Sequence, residues 1–240
     1  MRRLAALSVV LLLSGCAGNE SFNQWFGLGT DVARNMGYGD SAQAASGIKQ
    51  ALDLGSQRAS ASLSVQDGYR AMGYPLSLPA GLQPVADTLR KAGLGSYVTR
   101  VESAMNRGAE QAAAEALPVF QQAIRNMTIQ DALGIITGGD SAATDYFRGQ
   151  TESMLRQRYQ PIIKSNLEST GFYSQYKSML DIYNSLPLTS RPNLDVEDHL
   201  MSQSLNALFG RMANEERLIR EAPVARGSAL IGAVFGQPSR

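Results

Sequence analysis

Two stretches of this 240-residue chain set charged and hydrogen-bonding side chains at helical spacing. Asn106 and Glu110 stand four residues apart, with Arg107 beside Asn106 and Glu102 one turn earlier, so they share a helix face. Asp140, Thr144 and Arg148 recur every four residues, and Asp145 lies one step round the same turn. Gly138-Gly139 leads into this second group, and free amides at a helix start can bind anions. Asp140, however, stands where its own carboxylate would take those amides and repel a phosphate. The expected arrangement is therefore a helix stop, an N-cap and a charge pair within one helix. If the 106–110 face packs on the Asp140 helix, these groups and Arg107 or Arg148 would form a buried polar network. Thr128 and Asp131 have the spacing of a capping box and complete the candidate set.

What is missing narrows the chemistry further. His199 is the only histidine, so no histidine-pair metal motif exists and a Ser-His-Asp constellation would have to use it. Glu197 and Asp198 beside it fit the acidic first turn of a helix. Cys16 is the only cysteine, which excludes an intrachain disulfide and any cysteine nucleophile or cysteine metal site downstream. No loop has calcium-hand spacing, and Gly227-Ser228 with Gly232 forms no phosphate loop. No metal or cofactor is expected.

The segment around Cys16 has a different use. Arg2 and Arg3 precede an apolar run from Leu4 to Leu13, the pattern of a secretory signal peptide. The run is too short to span a membrane, which takes about 20 apolar residues. Leu13-Ser14-Gly15-Cys16 resembles the lipobox of bacterial lipoprotein precursors. That resemblance implies cleavage after residue 15, acylation of Cys16 by chains such as palmitate, and attachment to a membrane. Two or three acyl chains hold far better than one, at roughly 0.8 kcal/mol per buried methylene. Ala17-Gly18 lacks the aspartate of the enteric retention signal, so a periplasm-facing place on the outer membrane is expected. Residues 16–40, rich in glycine, fit a linker that spans about 25–30 Å. Phe22, Trp25 and Phe26 within it suit a short helix packed on the domain, with rings seated in the membrane interface as the alternative.

Removing Arg2 and Arg3 turns 22 basic against 21 acidic residues into a near-neutral balance. Nucleic acid needs clustered positive charge and is excluded as a partner. Anionic lipid gains no electrostatic hold either. The hydrophobic fraction of 44% suits a packed globular core.

These side chains need a frame, and the frame expected is all-α: a single-domain irregular helical bundle over residues 41–236, with a polar tail at 237–240. A first helix from Asp40 or Ser41 to about Val65 carries Ile48, Leu52, Ala59 and Leu63 on one stripe. Tyr74 to Pro79 must be extended, because residues before proline avoid the helical region. A helix over 80–92 then stops at Gly93. Residues 96–126 form a helical stretch that Pro118 must kink or split, with alanines at 109 and 112–114 that admit a close neighbour. A short helix ends at Gly138-Gly139. Asp140 starts a long one to about Ser169, stripe Phe147 to Leu167, bent at Pro161. After Gly171 a helix with Tyr173, Tyr176, Leu180 and Tyr183 reaches Leu186, and 187–193 is a loop. Asp195 caps a helix to Glu221 with Val196, Leu200, Leu208, Phe209 and Met212 inward. Pro223 opens a last helix to Phe235.

Several segments carry a resemblance. Met105-Asn106-Arg107 with Glu110, Asn126-Met127-Thr128 with Asp131-Ala132, and Gly138-Gly139-Asp140 through Phe147 look like the bacterial family called domain of unknown function 4197. Gln160-Pro161-Ile162 also fits, and the similarity covers about residues 47–236. It implies a secreted or lipid-anchored helical protein and brings no activity. Three functional readings follow: a non-enzymatic envelope protein that binds an envelope partner; a carrier of an apolar ligand in a cavity lined by Met105, Met127, Met154, Met179 and Met212; and a hydrolase built on Asp131, Asp140 or Asp145. The sequence prescribes no oligomeric state.

Overall fold

The computed structural model describes residues 41–185 and 196–227, with 231, 232 and 234. Residues 1–40, including Cys16 and Trp25, the expected 187–193 loop and the Asp195 cap lie outside them. Among the described residues the regular elements are all helical. In chain order they are α1 (Ser41–Leu63), α2 (Gly68–Ala71), a 3-10 turn (Ala80–Leu82), α3 (Gln83–Lys91), α4 (Gly95–Ala114), α5 (Ala116–Asn126), α6 (Ile129–Thr137), α7 (Ala142–Ser169), α8 (Phe172–Ser185), α9 (Val196–Glu221) and α10 (Pro223–Arg226).

The breaks follow from residue chemistry. The stretch that opens at Gly95 divides at Glu115, three residues before Pro118, whose missing N–H cannot bond the previous turn. Pro161, by contrast, is carried inside an unbroken α7. Gly93 (φ 78°) and Gly171 (φ 68°) follow α3 and α7 in the left-handed conformation that glycine adopts at little cost. The helix expected from Pro223 to Phe235 is interrupted: Pro223 opens one turn that stops at Gly227, and residues 231, 232 and 234 are helical again. There the Ile231 side chain folds back so closely that a Cβ on Gly227 would stand 2.6 Å from it.

α4 packs along α7, α7 along α9, and α1 lies against α9, α6 and α5. Three of these helices converge on one aromatic cluster, where Phe120 of α5 meets Phe147 of α7 at 5.2 Å and Phe209 of α9 at 6.2 Å. All three rings are buried, each contributing about 1.5–3 kcal/mol by leaving water. The alanine run does admit neighbours: Ala109, Ala112 and Ala113 are fully buried. Ser60 Oγ of α1 donates to the Ala113 carbonyl at 2.7 Å.

The extended segment Tyr74–Pro79 forms a strap across α9. Leu76 and Leu78 point into the core. The Ser77 N–H donates to Gln203 Oε1 at 3.1 Å, and His199 Nε2 lies 3.1 Å from the Ser77 carbonyl. An extended strand without a partner strand leaves backbone groups unpaired, and polar side chains of α9 take them. The lone histidine is occupied in this way.

Candidate functional site

The structure divides the candidate polar residues among three places. Asn106 and Glu110 are buried, as the shared face allows, but not against residues 140–148. α4 instead meets the C-terminal half of α7, where Gly108 lies on Ile163 and Asn166. Asn106 Nδ2 donates to the Glu102 carbonyl at 2.8 Å and to the Leu76 carbonyl at 3.3 Å, tying α4 to the strap. Burial pushes the Glu110 carboxyl above the usual range; the Asp67 N–H that it accepts opposes the rise, the Asp67 charge adds to it, and Arg107 and Arg70 oppose it. Arg107 itself is exposed. The single network that would join these residues to Thr144 and Arg148 does not form.

The second place is the start of α7, where Asp140 fails in its expected role. Asp140 is exposed, α7 begins at Ala142, and Ser141 at the cap position makes no capping hydrogen bond. The amides are taken from across the fold by Glu216 of α9. Its carboxylate accepts the Ala143 N–H at 3.0 Å, the Thr144 N–H at 2.9 Å and the Thr144 hydroxyl at 2.9 Å. Arg220 donates to the same carboxylate from Nη2 at 2.8 Å and reaches the Ile135 carbonyl of α6 at 3.1 Å. A negative charge at the positive end of a 28-residue helix is favourable, and the guanidinium meets a carbonyl near the negative end of α6. Gly138 permits the tight approach, since a Cβ there would fall 2.5 Å from the Ala142 Cβ. The most distinctive segment of the sequence thus builds a junction between α6, α7 and α9. Arg148 pairs with Glu152 and Asn206 and lies 4.5 Å over the Phe209 ring, rather than pairing with Asp140. Asp145 accepts from Ser141 at 2.8 Å.

Next to this junction Glu215, with a side chain 2% exposed, bonds Arg211 and lies 3.7 Å from Arg58 of α1. Sequence reasoning missed both glutamates. The only signal was the spacing Arg211 to Glu215 and Glu216 to Arg220, which on an exposed helix face means ordinary surface pairs.

The third place is open to solvent. Thr128 and Asp131 form the expected capping box, Thr128 Oγ1 accepting the Asp131 N–H at 3.1 Å and Asp131 accepting the Thr128 N–H at 2.9 Å. Tyr146 of α7 hydrogen-bonds Asp131, and burial together with that neighbouring charge raises its phenol. Beyond this pair a groove of about 180 Å³ runs between α5 and α7, with Gln122, Asn126, Gln150 and Met154 along it. By contrast, the apolar crevice between α1, α6, α7 and α9 holds only about 30 Å³. Met105, Met127, Met179 and Met212 are buried in the core, and Met154 is exposed. Among the described residues no group of three or more His, Cys, Asp or Glu side chains could hold a metal ion. Nor is any helix there long and apolar enough to cross a membrane.

A helical domain whose buried charges cap and join its own helices, with a polar groove on one side, is the class of protein these features define. The chain belongs to the family described as Protein of unknown function (DUF4197), whose pattern matches residues 39–236. No curated protein and no solved structure matches it.

Proposed function

We propose that this protein is a lipid-anchored component of the bacterial envelope whose helical domain faces the periplasm from the outer membrane and binds another envelope component without catalysing a reaction. The observation that carries the reading is Leu13-Ser14-Gly15-Cys16 directly after a cationic and apolar leader, with the sole cysteine of the chain at the acylation position. Two of the three carboxylates that suggested chemistry have local structural partners, Asp131 in a capping box and Asp145 with Ser141, which favours a binding role over a carboxylate hydrolase. Among the described residues four of the five candidate methionines are buried in the core and the apolar crevice holds only about 30 Å³, which favours this reading over an apolar carrier.

Mass spectrometry of the membrane-extracted protein tests the anchor. The N-terminal peptide should begin at Cys16 and carry a diacylglyceryl group. Cys16→Ser should leave residues 1–15 attached and abolish acylation. An unmodified Cys16 in the mature protein would overturn the anchor. In-cell crosslinking of the acylated protein should then capture one reproducible envelope partner.

A further inference from the structure

The groove between α5 and α7 has a composition that the helical fold does not need. Val119, Gln122, Ala123 and Asn126 recur at helical spacing along α5, and Tyr146, Gln150 and Met154 do so along α7. Asp131 of α6 also lines the groove. Gln122, Asn126 and Gln150 are exposed, and their side chains make no hydrogen bond to any described residue. Three amides without a partner among the described residues therefore line one concavity, each offering both donor and acceptor. The only charged group lining it is Asp131, an acceptor already set in place by Thr128 and Tyr146. No lysine or arginine lines it, and the Asp131 carboxylate disfavours an anionic ligand.

From this geometry we infer that the groove is a binding site for a neutral pyranose sugar. A sugar ring carries hydroxyls that donate and accept around its rim, the pattern that amides and a carboxylate satisfy together. Its C–H faces suit the apolar surface of Ala123 and Met154. An N-acetyl substituent fits best, because its amide adds a donor for Asp131 and its methyl group an apolar contact. A free volume of about 180 Å³ is below the roughly 300–1,000 Å³ of drug-sized pockets, so one ring is held at a time. Asn126, Asp131 and Tyr146 also fall within the segments that carry the family resemblance. The inference deepens the binding function proposed above by naming a ligand class, and its test is independent of Cys16 acylation.

The test is saturation-transfer NMR on the full-length protein in a detergent without a sugar headgroup. The probes are N-acetylglucosamine and its β-1,4-linked dimer, with a neutral tripeptide as competitor. The expected result is saturation of the ring and acetyl protons with a Kd of about 1 mM, a binding energy of roughly 4 kcal/mol. Asn126→Ala and Gln150→Ala should each weaken binding about fivefold, the effect of losing one hydrogen bond. Gln130→Ala, an exposed amide of α6 outside the groove, should leave it unchanged. Circular dichroism should show the variants folded, since the replaced side chains touch no described partner. The inference is overturned by absence of transfer at ~20 mM sugar, by binding that survives the Asn126→Ala/Gln150→Ala pair, or by displacement of the sugar by the tripeptide. A mature protein correctly acylated but silent toward sugar would refute this inference alone.

Discussion

Removing the carboxylate of Glu216 should be among the most damaging single changes in the domain. Glu216→Ala deletes the acceptor of two backbone amides, one hydroxyl and the Arg220 guanidinium at once. Arg220, with a side chain 18% exposed, would lose the carboxylate it pairs with. Breaking one side of a buried ion pair costs about 3–5 kcal/mol, and for a chain of this length that lowers Tm by about 6–20 °C. Glu216→Gln keeps the shape but turns an amide donor toward donors, so it should cost about 2–3 kcal/mol. Arg220→Met leaves Glu216 on the α7 amides and should cost about 1–2 kcal/mol. The two residues share one network, so Glu216→Ala with Arg220→Met should cost clearly less than the two single changes together. Urea unfolding followed by circular dichroism gives these values, read from midpoints at constant slope. Hydrogen exchange adds a local reading, in which the Ala143 and Thr144 amides should lose protection in Glu216→Ala. A cost under about 1 kcal/mol, or strict additivity, would refute the reasoning.

Two further outcomes follow from single positions. Gly138→Ala should destabilise by about 1–3 kcal/mol, because the new Cβ meets the Ala142 Cβ at 2.5 Å and the Gly134 carbonyl at 2.9 Å. Gly139→Ala meets nothing within 4 Å and should be neutral or slightly stabilising, so equal costs in urea unfolding would contradict the close-approach argument. The raised carboxyl of Glu110 makes the native state bind protons more tightly than the unfolded chain. Its contribution is therefore fully present below the unfolded value of about 4.5 and is lost as pH rises through the higher native value. Glu110→Gln should flatten the fall of stability as pH rises from about 4.5 to the higher native value, and an unchanged slope there would show that Glu110 is ionised without cost in the fold.

The helical class, most breaks and many core positions were legible in the sequence because they rest on local rules. Proline before an extended strap, the Thr128–Asp131 capping box, and the stripes Ile48 to Leu63 and Val196 to Met212 depend on residues within a few turns of each other. The polar sites depended on packing between distant segments, and there local reasoning assigned partners by proximity in the chain. Asp140 was the nearest acid to the α7 amides, yet the acid that caps them comes from 73 residues away. Asn106 and Glu110 did turn inward, but onto the strap and the turn at Asp67, because Gly108 sets α4 against the far half of α7. A sequence by itself determines which residues favour a helix, where the chain must break and which face is apolar, since those energies are paid within a turn or two. Only the tertiary structure decides which buried charge meets which helix end, because a carboxylate in a core takes whichever donors the packed helices bring within about 3 Å. That same packing left Gln122, Asn126 and Gln150 facing one groove.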